Sequence, residues 1–584
     1  MNNNHRLCLA EDGRTQYKIV IPEGASETLK YAAEELSKYL KEISGAVFPV
    51  TTEGQLTQEE EEGLILTGCG RLSESTRLCR ELVSPDELMK LGEEGFLIRT
   101  IGKDLVIAGN TGRGTLYGVY GFLKGSLGCR WFTPEVSHIP KRSRLELEST
   151  DRAELPALEY REPYQLGNQE PEWHVRNFSN GHFPKITARM GGRVKYDPFV
   201  HSFYTLVPPE TYFAEHPEYY AQIDGKRVGE RAQLCLSNEE VFEIVLAELR
   251  ARLEKDPEIA VVSVSQNDCA GACTCDRCRK VEEEEGSPAG NMLRFVNRIA
   301  EALEKEYPHL RIDTLAYQYT RKPPKLTRPR PNVIVRLCSI ECCFSHPLAE
   351  CGKAIAAGGK QIEGGRSFTE DLEGWGKICN QLYIWDYTTN FANYLQPFPD
   401  FNVLQENIRY FIRNHVRGIF EEGNNAEGEC GGLNRLRQYL LAQLLWNPEI
   451  DAQACMREFL IGYFGMAAPW IEKWIEACQS RVTPEIHMSI YDSPAAAYLE
   501  EALLEEGDRI FDCAEEAADN EEILSRVRTA RLSLRYVRMM RKPADAPDRE
   551  AEIKSFFEDV KKAGITQIRE WTSLETSEAQ LLDR

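Results

Sequence analysis

Two adjacent polar residues, Asn267 and Asp268, follow closely after the run Val261-Val-Ser-Val-Ser265. The alternation of β-branched and small residues in this run predicts a buried strand. α/β barrels place their catalytic groups at the carboxyl ends of parallel strands, so a carboxylate here could do chemistry. An aspartate can also simply hydrogen-bond a turn. The pair therefore indicates either a catalytic site or a turn cap, and both residues can face one site only if the strand has already turned.

Similar side chains end the other predicted strands in the middle of the chain. A few polar groups placed among aromatic side chains are typical of a small-ligand site. Aromatic faces can stack on sugar rings, while carboxylates and amides bind the hydroxyls, so the combination predicts a carbohydrate site. Its candidate substrate-binding residues are Arg161, His201, Tyr319, Glu341, Trp385, Asp386, Tyr387 and Asn424.

Glu421 and Glu422 are further catalytic candidates, because they follow the predicted strand Gly418-Ile-Phe420. Side chains alternate between the two faces of a strand, so at most one of the two would face a pocket if the strand continues through them. The other would then form a structural ion pair. His201 could equally be a satisfied core histidine, and Trp385 could pack the rim of the sheet.

A cysteine-rich loop follows Asp268. Cys269, Cys273, Cys275 and Cys278 lie within ten residues, and four thiolates can close a tetrahedron around zinc. The spacing differs from the usual two separated pairs, so the alternative is a compact loop of free thiols. We expect no cofactor to be required for catalysis, with a structural zinc possible at these four cysteines.

The elements that must position these residues divide the chain into three predicted segments. Residues 1–150 show strands and an amphipathic helix of a small α/β domain. In residues 151–450 strands alternate with amphipathic helices, which predicts a parallel sheet closed into a TIM-like (β/α)8 barrel. Residues 451–584 have helical periodicity and predict a helical C-terminal domain.

The middle segment resembles the domain-of-unknown-function 4838 proteins, which were reassigned to glycoside hydrolase family 163. The motifs that carry the resemblance, over roughly residues 155–450, are Gln233-Leu-Cys-Leu-Ser-Asn238, Ser265-Gln-Asn-Asp268 with its cysteine loop, Ile384-Trp-Asp-Tyr387 and Gly418-Ile-Phe-Glu-Glu-Gly423. The first 150 residues look like the domain that precedes the barrel in family 20 hexosaminidases and α-glucuronidases.

The resemblance implies a retaining endo-β-N-acetylglucosaminidase in which the substrate's own 2-acetamido group attacks C1. Family 20 uses an adjacent Asp-Glu pair for this chemistry, whereas this chain has Asn267-Asp268 at the matching place. Either Asn267 holds the acetamide and Asp268 is the general acid, or Asp268 holds the acetamide and the acid is Glu421, Glu422 or Glu341. The acid needs a pKa raised by an apolar wall, which Trp385 could supply.

The net charge of −22 argues against nucleic acid or an anionic membrane as the main partner. No signal peptide or membrane span is visible, and 18 cysteines then indicate reduced thiols and a cytoplasmic location. We expect an oligosaccharide or glycoside as the partner, with the oligomeric state unknown. The alternatives are an exo-acting β-hexosaminidase, an α-glucuronidase-like hydrolase, or a non-catalytic carbohydrate-binding protein.

Overall fold

A computed structural model describes residues 6–57, 63–69, 76–362, 365–429 and 431–583. The chain forms two compact units. The first contains the described residues up to Ala157, with Asn168–Arg193 and Ala442–Gly465. The second contains Leu158–Gly167, Val194–Leu441 and the described residues from Met466 onward. These divisions differ from the three predicted segments, because the C-terminal helices share a unit with the middle of the chain.

The strands are numbered along the chain. In residues 6–154 they are β1 (Arg6–Glu11), β2 (Lys18–Ile21), β3 (Val50–Thr52), β4 (Leu64–Cys69), β5 (Phe96–Ile101), β6 (Asp104–Gly109), β7 (Arg130–Trp131), β8 (Ser137–His138), β9 (Arg144–Glu148) and β10 (Asp151–Glu154). Those that follow are β11 (Tyr160–Tyr164), β12 (Gln222–Ile223), β13 (Lys226–Arg227), β14 (Val261–Ser263), β15 (Arg311–Ala316), β16 (Val333–Cys338), β17 (Ile355–Ala356), β18 (Lys360–Gln361), β19 (Leu382–Tyr387) and β20 (Val416–Glu422).

The α-helices are numbered in the same way. Up to residue 304 they are α1 (Glu27–Ser44), α2 (Arg77–Leu82), α3 (Pro85–Met89), α4 (Gly112–Gly125), α5 (Pro171–Arg176), α6 (Phe203–Leu206), α7 (Pro209–Tyr212), α8 (Glu239–Lys255), α9 (Asp276–Glu285) and α10 (Pro288–Glu304). The later ones are α11 (Phe368–Gly376), α12 (Leu404–Arg413), α13 (Asn434–Trp446), α14 (Ala452–Phe464), α15 (Ala468–Ser480), α16 (Glu501–Ala517), α17 (Glu521–Arg541), α18 (Arg549–Lys562) and α19 (Leu574–Leu582).

The first unit is built on a six-stranded mixed sheet in the order β10-β5-β6-β4-β2-β3. Helix α1 buries an apolar face that includes Leu29, Leu36 and Leu40. The helix begins where the side chain of Ser26 accepts a hydrogen bond from the backbone N–H of Leu29, and it ends at Gly45 in a left-handed conformation. The predicted α/β character of this segment is therefore present.

The second unit contains a six-stranded sheet in the order β11-β20-β19-β16-β15-β14, and every neighbouring pair is parallel. These six strands fall on six runs whose residue types predict strands, namely Leu158–Arg161, Ala260–Ser265, Ile312–Tyr317, Val333–Leu337, Leu382–Trp385 and Gly418–Phe420. Each run is rich in β-branched and aromatic residues, which favour a buried strand. All six carboxyl ends therefore lie along one edge of the sheet, which is the usual position of ligand sites in parallel sheets.

The sheet is a parallel half-barrel, and the described residues do not provide the eight strands of the predicted (β/α)8 barrel. Among the described residues between β11 and β14, one residue pairs with this sheet as a strand would: Tyr196 forms a single parallel bridge to Val261. This stretch contains short helices, the β12–β13 hairpin and several prolines, and proline cannot donate a ladder hydrogen bond. The further strands that a (β/α)8 barrel requires are therefore absent from the described residues of this stretch.

A buried ion pair occupies the inner face of the half-barrel. Nε of Arg336 on β16 donates to Oδ2 of Asp313 on β15 at 3.1 Å, and both side chains are fully buried. The guanidinium also donates to the Tyr196 hydroxyl at 2.6 Å, and Ser263 donates to the other oxygen of Asp313 at 3.1 Å. Aromatic rings surround the guanidinium within 6 Å, in the range of cation–π attraction, and they include Trp385 at 5.9 Å.

None of the helices in the described ranges is long and apolar enough to cross a membrane.

Candidate active site

A cavity of about 200 Å³ lies at the carboxyl edge of the second sheet. Strand ends and the loops after them supply most of its wall, as expected for a site in a parallel sheet. The rest of the wall is formed by Phe391, Tyr491, Glu570 and Trp571. The lining residues are His201, Asp268, Leu315, Tyr317, Cys338, Ile340, Trp385, Tyr387, Phe391, Glu422, Asn425, Tyr491, Glu570 and Trp571.

Glu422 is the last residue of β20, and its side chain reaches the cavity while only 8% of the residue is exposed. Nε1 of Trp385 donates a hydrogen bond of 2.8 Å to its Oε2. Burial raises the pKa of Glu422 to about 8, because the Trp385 hydrogen bond offsets only part of the desolvation and the charges of Glu570 and Asp268 add to it. Glu422 is thus a protonated carboxylic acid at neutral pH.

Asp268 lies on the loop after β14 and its side chain is exposed to the cavity. The hydroxyl of Tyr317, a buried residue just after β15, donates to Oδ1 of Asp268 at 3.0 Å. Burial, and then the charge of Asp268, raise the pKa of Tyr317, so this hydroxyl keeps its proton and remains a donor. The cavity thus contains Asp268, held by the Tyr317 hydroxyl, together with Glu422.

His201 and Trp571, two further residues of the cavity, have left-handed backbone conformations with φ of 56° each. Such strain in residues other than glycine clusters at functional sites. Nδ1 of His201 donates to the carbonyl of Gln266 at 2.8 Å, which leaves Nε2 directed away from that loop. Trp571 is 81% exposed, so a large aromatic face is open to a ligand.

Two family models match the chain. The family model described as "Domain of unknown function (DUF4838)" matches residues 131–476. The chain belongs to this family. The model described as "Glycosyl hydrolase family 67 N-terminus" matches residues 9–122, and no curated protein matches the chain.

Solved structures with a fold similar to that of this DUF4838 chain include the following two. One is BtGH115A, described as a family GH115 4-O-methyl-α-glucuronidase with specificity for decorated arabinogalactans; its TM-score is 0.57 at 12% identity, over 99% of this chain and 78% of that chain. Another is CpGH84D, with a TM-score of 0.51 at 12% identity, over 96% of this chain and 90% of that chain. The fold is therefore glycoside hydrolase-like.

Five of the predicted site residues line the cavity: His201, Asp268, Trp385, Tyr387 and Glu422. The structure places the other seven elsewhere, in positions that their own contacts explain.

Asn267 holds the loop and does not line the cavity. Its Nδ2 donates to the carbonyl of Ala232 at 2.8 Å, and its Oδ1 accepts from the backbone N–H of Tyr204 at 3.2 Å. Strand β14 ends at Ser263, four residues earlier than Asn267, so the alternation of a strand no longer orients the two polar residues. They separate, with Asn267 inward and Asp268 toward the cavity.

Glu421 and Asp386 are neighbours across β20 and β19 on the face opposite Glu422 and Tyr387. Both are buried, and Asp386 accepts hydrogen bonds from Ser339 and from the backbone N–H of Tyr387. Burial raises the pKa of Asp386 to about 6 and raises that of Glu421 well above its usual value. Burial therefore favours the uncharged form of Glu421, and the residue does not line the cavity.

Arg161 and Asn424 are buried in the sheet edge. Arg161 donates to the carbonyl of Leu158 at 2.6 Å, and Asn424 accepts from the Thr389 hydroxyl at 2.7 Å. The next residue, Asn425, lines the cavity instead, with its Oδ1 accepting from the Tyr164 hydroxyl.

Glu341 and Tyr319 follow strand ends but turn away from the cavity. Glu341 forms a salt bridge with Arg321, whose guanidinium also contacts the buried Asp371. Tyr319 is partly buried in a short 3₁₀ turn after β15, and burial raises its pKa.

Tyr491, Glu570 and Trp571 are functional candidates that sequence reasoning missed, because they come from the helical region far along the chain. The adjacent carboxylate and indole of Glu570-Trp571 are the one local signal that could have pointed to them. Burial raises the pKa of Glu570, and the nearby charge of Asp268 raises it further.

A cluster of four thiols lies next to the Asp268 loop. The sulfurs of Cys235, Cys273, Cys275 and Cys278 all lie within 4.8 Å of one another, and the four residues are buried. Cys235 Sγ is 3.7 Å from Cys275 Sγ and 3.9 Å from Cys278 Sγ. Sulfurs bound at ~2.3 Å to a tetrahedral zinc lie about 3.8 Å apart, so the spacing fits a Cys₄ zinc site.

The predicted ligand Cys269 lies outside this group, and Cys235 takes its place. The thiol of Cys269 donates to the carbonyl of Ala232 at 3.8 Å instead. Cys235 comes close because the backbone N–H of Gln233 donates to the carbonyl of Gly271 at 3.2 Å, which holds this segment beside the loop. The backbone N–H of Gln222 donates to Cys273 Sγ at 3.3 Å, as partners around zinc thiolates do. We propose that this corrected set of four cysteines holds a structural zinc ion.

Replacing Cys235 with serine should lower the zinc content by one ion per chain, because three thiolates cannot close the site. The matched change Cys269→Ser should leave the zinc content unaltered. Elemental analysis of both purified variants beside the parent protein measures the difference. Equal zinc content in the parent and in Cys235→Ser would contradict the assignment.

Proposed function

We propose that this protein is a retaining glycoside hydrolase that cleaves β-linked N-acetylglucosaminides with assistance from the substrate's acetamide group. The observation that carries the proposal is a cavity in which a protonated carboxylic acid, Glu422, and a carboxylate, Asp268, both face the space for a ligand. A buried carboxyl group with a raised pKa that shares a cavity with a second carboxyl group is an arrangement found where one acts as acid and the other as anion. The glycoside hydrolase-like fold supports the same class of activity.

Glu422 is assigned the role of general acid. Its proton would pass to the glycosidic oxygen as the C1–O bond breaks, and the leaving sugar would depart as an alcohol. The raised pKa keeps the proton available at neutral pH, and the Trp385 hydrogen bond orients the carboxyl group. In the second step the Glu422 carboxylate would take a proton from the water that attacks C1, which restores the acid.

Asp268 is assigned the role of holding the acetamide. The acetamide oxygen would attack C1 to form an oxazolinium ion. The Asp268 carboxylate would accept a hydrogen bond from the acetamide N–H and stabilise the positive charge that develops. The Tyr317 hydroxyl donates to one oxygen of Asp268 and leaves the other for the substrate. Water then opens the oxazolinium ion at C1, and the two displacements together retain the β configuration.

The aromatic residues Trp385, Tyr387, Tyr491 and Trp571 give the cavity the apolar faces that sugar rings stack on. Trp571 at the exposed mouth would contact the part of the glycan beyond the cleaved bond. This position supports action on oligosaccharides, and therefore an endo-acting enzyme of the glycoside hydrolase family 163 type acting on N-glycan cores.

The charge of the cavity disfavours a uronic acid. Among the described residues that line it there is no lysine or arginine, while Asp268, Glu422 and Glu570 are carboxyl groups. The carboxylate of a glucuronic acid would face like charge without a cation to pair with. The family 67 and GH115 similarities therefore do not extend here to a glucuronide substrate.

The substrate class is tested with a nitrophenyl β-N-acetylglucosaminide, a biantennary N-glycan and a nitrophenyl α-glucuronide. We expect turnover of at least one N-acetylglucosamine substrate and none of the glucuronide. Asp268→Asn should lower kcat by ~100-fold or more and weaken inhibition by a thiazoline analogue of the oxazolinium ion, because the anionic partner is lost. The matched change Asp276→Asn, at a residue whose side chain is 99% exposed, should do neither.

Binding of the N-acetylglucosamine substrates without turnover would favour a non-catalytic carbohydrate-binding protein. Turnover of the glucuronide, or unaltered kinetics in Asp268→Asn, would overturn the site assignment.

Glu422→Gln should reduce kcat for glycosides with poor leaving groups by about 100- to 10,000-fold, the usual contribution of a general acid. The loss should be smaller for a dinitrophenyl glycoside, whose leaving group departs without a proton. Glu421→Gln is the matched control: it removes a carboxyl group that is buried and outside the cavity, and it should change kcat by only a few-fold. Equal losses in the two variants, with both folded by circular dichroism, would remove Glu422 from the acid role.

The pH profile of kcat/KM should fall as the pH rises through about 8, because the active enzyme requires protonated Glu422. Trp385→Phe removes the hydrogen bond that favours the ionised form, so the pKa of Glu422 should rise and the alkaline limb should move to higher pH. Steady-state kinetics of both proteins between pH 5 and pH 10 measure the shift. A limb that moves to lower pH in Trp385→Phe would contradict the role given to this hydrogen bond.

A further inference from the structure

A second group of possible metal ligands lies beside the cavity, in a part of the chain that shows no ligand motif as a sequence. Cys343, His346 and Cys351 lie on the loop after β16, and His487 lies between α15 and α16, more than a hundred residues further along. One ligand atom from each residue lies within 4.8 Å of the other three. Two cysteines and two histidines are a frequent ligand set for structural zinc.

The distances within this group fit one tetrahedral ion. Cys343 Sγ is 3.3 Å from Nδ1 of His346 and 3.3 Å from Nδ1 of His487, and Cys351 Sγ is 3.6 Å from Nδ1 of His487. With Zn–S of ~2.3 Å and Zn–N of ~2.0–2.1 Å, the sulfur and nitrogen ligands of tetrahedral zinc lie about 3.6 Å apart.

The surroundings of the group also suit a metal. Both cysteines are buried, so that an ion bound there would be shielded from solvent. Nε2 of His346 lies 3.1 Å from the carbonyl of Thr483, to which it can donate while Nδ1 keeps its lone pair for the metal. Metal-bound histidines usually donate their second nitrogen in this way.

We propose that Cys343, His346, Cys351 and His487 hold a structural zinc ion that fixes one wall of the cavity. Four protein ligands leave no open position, so the ion would not take part in chemistry. The site is independent of the proposed hydrolase activity, because none of its ligands lines the cavity.

The ion would join the loop after β16 to the segment that presents Tyr491. Hydrogen bonds already join this segment to the loop. The Ser345 hydroxyl donates to the carbonyl of Ile486 at 2.8 Å, and the backbone N–H of Phe344 donates to the carbonyl of Met488 at 3.1 Å. Asp492 continues the attachment by accepting from the N–H of Gly358 at 2.8 Å. Tyr491 lies between these contacts and lines the cavity, so a metal link at His487 restrains a residue of the candidate site.

Lys353 defines the competing metal-free arrangement. Its Nζ lies 3.3 Å from Nε2 of His487, and in the absence of a metal it could donate to that nitrogen while Nδ1–H donates to the Cys343 sulfur. In that arrangement Lys353 is needed to set the imidazole, whereas a zinc site does not depend on it.

Zinc content and zinc K-edge X-ray absorption of the tag-free protein test the proposal. We expect His487→Gln and Cys343→Ser each to lose one zinc ion per chain, and Lys353→Gln to keep the parent content. We also expect imidazole scattering in the parent spectrum, which the Cys₄ cluster alone cannot give. This second readout needs no variant to fold. Zinc with sulfur ligands only, or no zinc at all, would overturn the site.

Hydrogen exchange before and after chelation tests the link to the cavity wall. Loss of zinc should increase exchange in residues 483–492, while the buried strand β15 serves as the internal reference and should keep its protection. Unchanged exchange in residues 483–492 after the imidazole-bound zinc is removed would show that the ion does not fix this wall.

Discussion

The candidate site depends on the buried ion pair between Arg336 and Asp313. Two charges inside a sheet must be paired and hydrogen-bonded, and removal of one partner from such a pair typically costs about 3–5 kcal/mol. Here Tyr196 accepts a hydrogen bond from the guanidinium, Ser263 donates one to the carboxylate, and aromatic rings lie around the guanidinium. One of those rings is Trp385, whose indole N–H in turn holds Glu422. A structural charge deep in the sheet thus positions the group to which we assign proton transfer.

The register between β19 and β20 adds the second constraint. Because side chains alternate, Tyr387 and Glu422 share the cavity face, while Asp386 and Glu421 share the opposite face. A shift of one residue along β20 would place Glu421 on the cavity face and Glu422 on the opposite face. The two faces offer these glutamates different neighbours. Only Glu422 has an indole donor beside it and open space in front of it.

Much of the second sheet could be predicted from the sequence, because its strands are short apolar runs with polar residues at their ends. The strand ends of β15, β16 and β19 therefore lie within a few residues of the predictions. The incomplete barrel was not foreseen, since the barrel was inferred from the alternation of strands and helices along residues 151–450 and not from eight identified strands. The cavity residues Trp385, Tyr387 and Glu422, which lie on strands, could be predicted from the sequence. Cys235, His487 and Trp571 each reach a different site through tertiary contacts, which no local sequence pattern indicates.

The exposed indole of Trp571 has a consequence for how members of this family differ. The family model ends at residue 476, so it includes Asp268 and Glu422 but neither Tyr491 nor Glu570-Trp571. The family model therefore includes the residues at which a bond would be broken, but not the residues at the mouth of the cavity. Two proteins of this family could share one chemistry and still select different glycans, because the choice would be made by a C-terminal segment that lies outside the family model.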